Sequence, residues 1–287
     1  MFIGAPLQYA FGMAGVAMTE LLILVCAVVP ALVAKRPLRD VFPLRKPTSR
    51  EIGGTLCALG GFWGLSIFCA MLSLYLMPTE MAETADAMQN LFTASGFVIS
   101  MIVVAIMPAV CEEMLYRGAI MYSFGRIRPW MRMLLIGLLF GIFHWDPTRF
   151  LSTGVLGVGL AYIMLKSENL LLPMIFHFCN NAFSLLANFL LNAALQNSPV
   201  ADYPTASLDL PEPQLLLFSL IYVVGAPALI VIAGVLLEPR RPSVRGRFRD
   251  KRPHIIAASV IGTLALVGFV AGIVTMARTI PTPGWDL

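Results

Sequence analysis

The sequence predicts an all-α protein, a polytopic transmembrane helical bundle with about eight spans. Three observations predict this class. The 287 residues are 58% hydrophobic and only 13% charged, whereas an ordinary soluble domain is about 25% charged. The apolar residues come in runs of about twenty, the length that crosses a hydrocarbon core ~30 Å thick. The charged residues gather in the segments between these runs.

The apolar runs determine where each helix is expected. No polar stretch is long enough to fold separately, so we expect residues 1–287 to form a single integral membrane domain. Glycines inside the runs, such as Gly137 and Gly141, are interpreted as positions of close helix packing. The acidic segment 78–90 is interpreted as a linker outside the membrane. The predicted spans lie near residues 9–34, 52–77, 91–124, 131–149, 151–166, 169–191, 214–237 and 255–278.

The distribution of basic residues predicts how the chain is oriented in the membrane. The segments 35–51, 125–132 and 238–254, together with Lys166, hold 17 of the 20 lysines and arginines. The segments 78–90 and 192–213 contain acidic residues and no basic ones. The positive-inside rule therefore places the basic loops in the cytoplasm and both termini outside. The net charge of +4 then reflects orientation and contact with anionic lipid, and no nucleic-acid partner is expected.

The positions of the cysteines bear on whether disulfide bonds or a zinc site are expected. The five cysteines lie in or beside apolar runs, and none forms a CxxC pair. Neither a disulfide framework nor a cysteine-ligated zinc site is therefore expected.

An acidic motif follows the apolar segment 91–110. Glu112 and Glu113 are adjacent, and Arg117 is four residues after Glu113, the favourable order for an ion pair within a helix. Charges at membrane depth are costly and usually functional. The alternative interpretation is a solvated helix end beyond a membrane span.

Further polar residues lie in three other spans. His144 follows Phe140 by four residues, so both share one helix face, and His177 and Asn181 share a face in the same way. Each pair also has a purely structural interpretation. His144 could be a histidine packed in the core, and His177 with Asn181 could form a polar clamp between helices. Glu20 is a single acid in the first span, with no partner evident from the sequence. It could pair with a distant polar group or face a cavity.

Together these residues favour hydrolysis. Burying them separately would cost several kcal/mol, so we expect them to converge on one site. A carboxylate can accept a proton from water, a histidine can relay it, and a second histidine with an asparagine amide can stabilise an oxyanion. A transporter with a proton relay is the alternative, but such proteins often contain internal repeats, and none is evident.

The order of the motifs resembles a known family. Glu112-Glu113-x-x-x-Arg117, Phe140-x-x-x-His144 and His177-x-x-x-Asn181 occur in this order on successive spans. They are similar to the three motifs of the CPBP family, the CAAX-processing and bacteriocin-processing (Abi) intramembrane proteases, which include the type II CAAX prenyl endopeptidases. The resemblance covers residues 91–191, the expected catalytic core. Residues 1–90 and 192–287 are predicted to supply flanking helices.

The resemblance implies a glutamate-dependent endopeptidase. Glu112 and His144 would activate water, while His177 and Asn181 would stabilise the oxyanion. Glu113 and Arg117 would pair in support, and Phe140 would shape the cavity. No cofactor is expected. The alternative is zinc held by Glu112, His144 and His177, although HExxH is absent.

The resemblance also implies partners. The expected substrate is a peptide or a prenylated protein, within membrane lipid. The short loops favour a bacterial or archaeal plasma membrane. The alternative function is a non-catalytic bacteriocin-immunity or scaffold protein of the same fold.

Overall fold

The computed structural model describes residues 4–196, 212–238 and 252–279, and every regular element in these ranges is a helix. Seven helices are long and apolar enough to cross a membrane, and an eighth apolar helix is shorter. The predicted all-α polytopic bundle is therefore confirmed. The acidic segment 197–211 and the basic segment 239–251 lie outside the described residues, so their predicted places in the topology stay predictions.

The first half of the chain contains five helices and one long composite helix. The composite helix runs from residue 97 to residue 123, and we call it the motif helix because it carries the acidic motif. It contains α6 (Phe97–Ser100), α7 (Met107–Glu113) and α8 (Met121–Ser123), joined by the π-helical segments Met101–Ile106 and Met114–Ile120. The preceding helices are α1 (Gly4–Phe11), α2 (Met13–Val33), α3 (Leu38–Val41), α4 (Ser49–Leu76) and α5 (Pro78–Ser95).

The remaining helices complete the bundle. They are α9 (Pro129–Phe143), α10 (Phe150–Ser167), α11 (Leu171–Gln196), α12 (Glu212–Ser219), α13 (Ile221–Val224), α14 (Ala226–Leu237) and α15 (Arg252–Thr279). The predicted seventh span is thus divided into three helical pieces, of which the last begins beside Pro227.

Residues 78–90, interpreted as a linker outside the membrane, belong to helix α5, which is not among the candidate membrane-spanning helices. Pro78 stands in the first turn of α5, where its missing N–H costs nothing. Alanine, glutamate and methionine, which are good helix formers, fill much of the segment. Gly96, with φ of 74°, ends the helix, and the next span begins at residue 97 rather than at the predicted residue 91.

The fourth apolar helix is shorter than predicted. Helix α9 has 15 residues, which span about 22 Å, and it ends at Phe143 rather than near residue 149. Trp145 adopts a left-handed conformation with φ of 49°, and Asp146 precedes Pro147, where helical geometry is disfavoured. His144 therefore lies at a helix end within the bundle.

Glycines bring α9 and α10 close together, as their spacing predicts. A Cβ atom on Gly157 would lie 2.8 Å from Phe140 Cβ and 3.0 Å from Gly137 Cα. A Cβ atom on Gly141 would lie 2.8 Å from the carbonyl oxygen of Phe150. The glycines in α4 differ in how closely they approach other helices. A Cβ atom on Gly61 would lie 2.7 Å from Ile230 in α14, whereas a Cβ atom on Gly53 would have no neighbour within 4 Å.

The basic loop before α4 is tied to the start of α11. Asn169 Nδ2 donates to the carbonyl of Arg45 at 3.0 Å, and the Arg45 N–H donates back to Asn169 Oδ1 at 3.2 Å. The Leu170 N–H donates to the carbonyl of Pro43 at 2.7 Å. The Arg45 side chain pairs with Glu51, and this hydrogen bond raises the pKa of Arg45. These contacts hold the first turn of the helix that carries His177.

Candidate active site

The acidic motif and His177 meet in the interior of the bundle. Glu113 is fully buried and Arg117 is 1% exposed. Arg117 Nη1 donates to Glu113 Oε1 at 2.8 Å, and Nη2 donates to the carbonyl of Gly157 at 2.9 Å. The predicted ion pair between Glu113 and Arg117 is thus present, and it joins the motif helix to α10. Two such charges can be buried here because each has a partner.

The Glu113 carboxylate also orients His177. His177 Nδ1 lies 2.8 Å from Glu113 Oε1, the same oxygen that accepts from Arg117. Because that oxygen acts as an acceptor, Nδ1 of His177 carries the hydrogen. The other ring nitrogen, Nε2, lies 3.9 Å from Glu112 Oε2. His177 therefore connects the two carboxylates of the motif.

Asn181 is held against the first π-helical segment. Its Nδ2 donates to the carbonyl of Val104 at 2.9 Å, and Asn180 Nδ2 donates to its Oδ1 at 3.0 Å. Pro108 lies four residues after Val104 and has no N–H to offer that carbonyl. The proline therefore removes the donor that an α-helix would offer the Val104 oxygen, and the asparagine amide from α11 supplies one.

An aromatic ring connects the second motif to the third. The Phe140 ring centroid is 4.8 Å from that of His144 and 5.8 Å from that of His177. Arg117 Cζ lies 4.6 Å from the centroid of the same ring, close enough for a cation–π contact. His144 Nδ1 donates to its neighbouring carbonyl, that of Phe140, at 2.7 Å, so Nε2 is the nitrogen available to water or substrate in the neutral ring.

Sequence reasoning left Glu20 without a partner, and in the structure its Oε2 atom is buried without a hydrogen-bond partner. Glu20 is 5% exposed on α2, which packs against both α7 and the segment Met114–Ile120. Its carboxyl group interacts electrostatically with that of Glu112. Because the two residues are 92 positions apart, no local spacing could have paired them. The one available signal was the cost of a single acid in an apolar span.

The described residues also bear on whether the ligand set that a metal ion requires is present. Among the described residues, no three histidine, cysteine, aspartate or glutamate side chains are grouped so that they could hold a metal ion.

The fold and the site together define an integral membrane protein of the all-α polytopic class, with a buried site of carboxylate, histidine and asparagine side chains. Residues 94–183 match the Rce1-like family, described as type II CAAX prenyl endopeptidase Rce1-like. This match confirms the resemblance to the CPBP family, and its range includes all seven residues that the motifs singled out. A comparison with curated proteins and one with solved structures find no match.

Proposed function

We propose that this protein is an intramembrane endopeptidase that hydrolyses a peptide bond with water activated by Glu112 and His144. The observation that carries the proposal is the position of Glu112. Its Oε2 atom is buried without a hydrogen-bond partner and lies 3.9 Å from His177 Nε2. An acceptor that is desolvated and unsatisfied is costly unless it binds something, and a water nucleophile fits it.

Water activation uses a general base. Glu112 takes a proton from the water as its oxygen attacks the scissile carbonyl carbon, and His144 Nε2 accepts a hydrogen bond from the same water. The tetrahedral intermediate then collapses as the C–N bond breaks. The proton held by Glu112 passes to the leaving nitrogen, so that one water is consumed and the enzyme is restored.

The oxyanion is stabilised by His177 and Asn181. Asn181 Nδ2 has a second hydrogen beyond the one donated to Val104. His177 donates its Nδ1 hydrogen to Glu113, so it can donate from Nε2 only as an imidazolium. Preorganised donors of this kind are often the largest contribution to catalysis.

Glu113, Arg117 and Phe140 act as positioning residues. Glu113 orients His177, Arg117 holds Glu113 against the carbonyl of Gly157, and Phe140 packs on both imidazole rings. The family is one of CAAX prenyl endopeptidases. We therefore propose a membrane-associated peptide as substrate, with C-terminal processing of a prenylated peptide as the specific form. The proposed location is a bacterial or archaeal plasma membrane, with the basic loops in the cytoplasm.

The proposed mechanism needs no metal. The zinc alternative, with Glu112, His144 and His177 as ligands, makes a different prediction for chelators. In that alternative the metal would lower the pKa of a bound water, and removal of the metal would abolish cleavage.

The test is peptide cleavage by the purified protein in lipid nanodiscs, with matched prenylated and unprenylated peptides. We expect Glu112→Gln to lower kcat by at least about a hundredfold, as expected for loss of a general base. Glu83→Gln is the matched control, because Glu83 is an exposed acid on α5. Cleavage that persists in a strong chelator would support the metal-free mechanism.

Three other outcomes of the cleavage experiment would change the proposal. Cleavage lost in chelator and restored by zinc would favour the zinc alternative. Full activity in Glu112→Gln would overturn the assignment of the base. If neither the prenylated nor the unprenylated peptides are cleaved by the wild-type protein, the non-catalytic alternative would be favoured.

A further inference from the structure

Asn180 precedes Asn181 directly but lies outside the four-residue spacing of the third motif. One helical step turns a side chain by about 100°, so Asn180 does not share the helix face of His177 and Asn181. Its side chain nevertheless reaches the motif, because Asn180 Nδ2 donates to Asn181 Oδ1 at 3.0 Å. Both asparagines are half-buried on α11. The mechanism above gives Asn180 no role.

The orientation of the Asn181 amide is determined by a group on each of its two sides. The carbonyl of Val104 can only accept, so the amide nitrogen faces it, and Asn181 Nδ2 donates there at 2.9 Å. The amide oxygen then faces Asn180, whose Nδ2 is a donor. Turning the amide over would place two acceptors together on one side and two donors together on the other. Both contacts therefore favour the same orientation.

The hydrogen bonds of Asn180 differ from those of a polar clamp between helices. The bond that its side chain donates goes to the next residue of α11, whereas Asn181 bonds to the motif helix. Ser184 Oγ donates to the backbone carbonyl of Asn180 at 2.9 Å, which is again a contact within α11. These hydrogen bonds of Asn180 therefore bear on the conformation of Asn181 rather than on the packing of two helices.

We propose that Asn180 is a positioning residue that fixes the amide orientation of Asn181 and thereby leaves the second hydrogen of Asn181 Nδ2 for the oxyanion. This inference rests on the proposed function. A donor that is already oriented needs no reorganisation as negative charge develops on the scissile carbonyl oxygen. Asn180 acts through Asn181 and does not itself contact the reacting atoms.

Kinetics of single and double variants test this role, with the same peptides and nanodiscs. We expect Asn181→Ala to lower kcat about a hundredfold, as for loss of an oxyanion donor. Asn180→Ala should lower kcat about tenfold, the effect of one hydrogen bond, with KM little changed because the oxyanion forms only during the reaction. The double variant should be no slower than Asn181→Ala, because Asn180 acts through the amide that is then absent. A separate structural role would add its own loss.

The side chain at position 180 gives a second comparison. In Asn180→Asp the size is nearly unchanged, but an ionised carboxylate only accepts hydrogen bonds. It would take the second hydrogen of Asn181 Nδ2, so kcat should fall below that of Asn180→Ala. Asn180→Gln keeps an amide donor and should retain more activity than Asn180→Ala. The matched control is Asn188→Ala, because Asn188 accepts from Asn192 Nδ2 at 3.2 Å on the same helix. Loss of that pair should leave kcat unchanged.

A measurement of unfolding does not depend on cleavage. Asn180→Ala and Asn181→Ala break the same hydrogen bond, so the double variant should lower the unfolding midpoint by less than the sum of the two single variants. Asn188→Ala combined with Asn181→Ala should give additive losses, because these two residues share no hydrogen bond in the structure.

The two readouts distinguish the two proposals. Coupled unfolding in a protein that cleaves no peptide would contradict the proposed function and leave the orientation of the Asn181 amide standing. Additive unfolding losses for positions 180 and 181 would overturn that orientation, whatever the activity. In an active protein, additive losses of kcat at the two positions would overturn the positioning role, as would an Asn180→Asp protein as active as the wild type.

Discussion

Arg117 shows how a single side chain can join three elements of the bundle. Its guanidinium group contacts Glu113 in the same helix, the carbonyl of Gly157 in α10 and the ring of Phe140 in α9. It is almost fully buried, so its hydrogen bonds do not compete with water. The fork of donors in a guanidinium group can serve two acceptors at once, whereas the ammonium group of lysine is a compact point charge.

We therefore expect Arg117→Met to destabilise the protein by about 3–5 kcal/mol, because it leaves the Glu113 carboxylate buried and unpaired. Unfolding in mixed micelles, followed by tryptophan fluorescence, is the measurement. The double variant with Glu113→Gln should lose less than the sum of the two single variants. Strict additivity would show that the pair is not coupled. Arg117→Lys should fall between wild type and Arg117→Met.

At the scale of elements, interruptions of the regular helix form the site. Pro108 frees the carbonyl of Val104, and π-helical segments lie on both sides of the α7 turn that ends at Glu113. Such segments are rare and are often found at functional sites. His144 follows the last residue of α9 in near-helical geometry, and its ring contacts that of Phe140. Without Pro108, a regular α-helix could have paired the Val104 carbonyl internally.

The contact between α9 and α10 gives a prediction at this scale. Gly157→Ala should displace the two helices, because the new Cβ atom would lie 2.8 Å from Phe140 Cβ. We expect a loss of stability of roughly 1–3 kcal/mol, the usual cost of overpacking, together with weakened cleavage because the Gly157 carbonyl holds Arg117. The measurement is unfolding and peptide cleavage of the same preparation.

Gly53→Ala is the matched control for this change. Gly53 lies in α4, and an added Cβ atom there would have no neighbour within 4 Å. Alanine is favoured over glycine inside a helix by roughly 0.5–1 kcal/mol, so this variant should be equally stable or slightly more stable. Equal losses in the two variants would contradict the packing explanation.

At the scale of the whole molecule, the N-terminal flank packs against the helices that carry the site. The family match begins at residue 94, yet α2 packs on α7, and the loop containing Pro43 and Arg45 holds the start of α11. Many large apolar side chains are exposed on the surface of the bundle, as expected for helices that face lipid rather than water. The charged and polar side chains of the site are, by contrast, mostly buried.

The orientation gives the whole-molecule prediction. Residues 36 and 83 lie on opposite sides of the membrane if α4 crosses it once. In a variant without the native cysteines, Arg36→Cys should react with an impermeant thiol reagent from the cytoplasmic side, and Glu83→Cys should react from the outside. Both positions are exposed. Labelling of both positions from one side would contradict the orientation inferred from the basic loops.

The sequence by itself determined the fold class and singled out the seven motif residues as candidates, because apolar length and four-residue spacing are local properties of a chain. It did not predict the helix over residues 78–95 and overestimated the length of α9, because local helix propensity and the Asp146-Pro147 stop decided these boundaries. Only the tertiary structure joined Arg117 to the carbonyl of Gly157 and packed the helix that carries Glu20 against the motif helix. These contacts depend on which helices pack together, and in a bundle of uniformly apolar helices that choice is made by close glycine contacts and paired buried charges rather than by sequence periodicity.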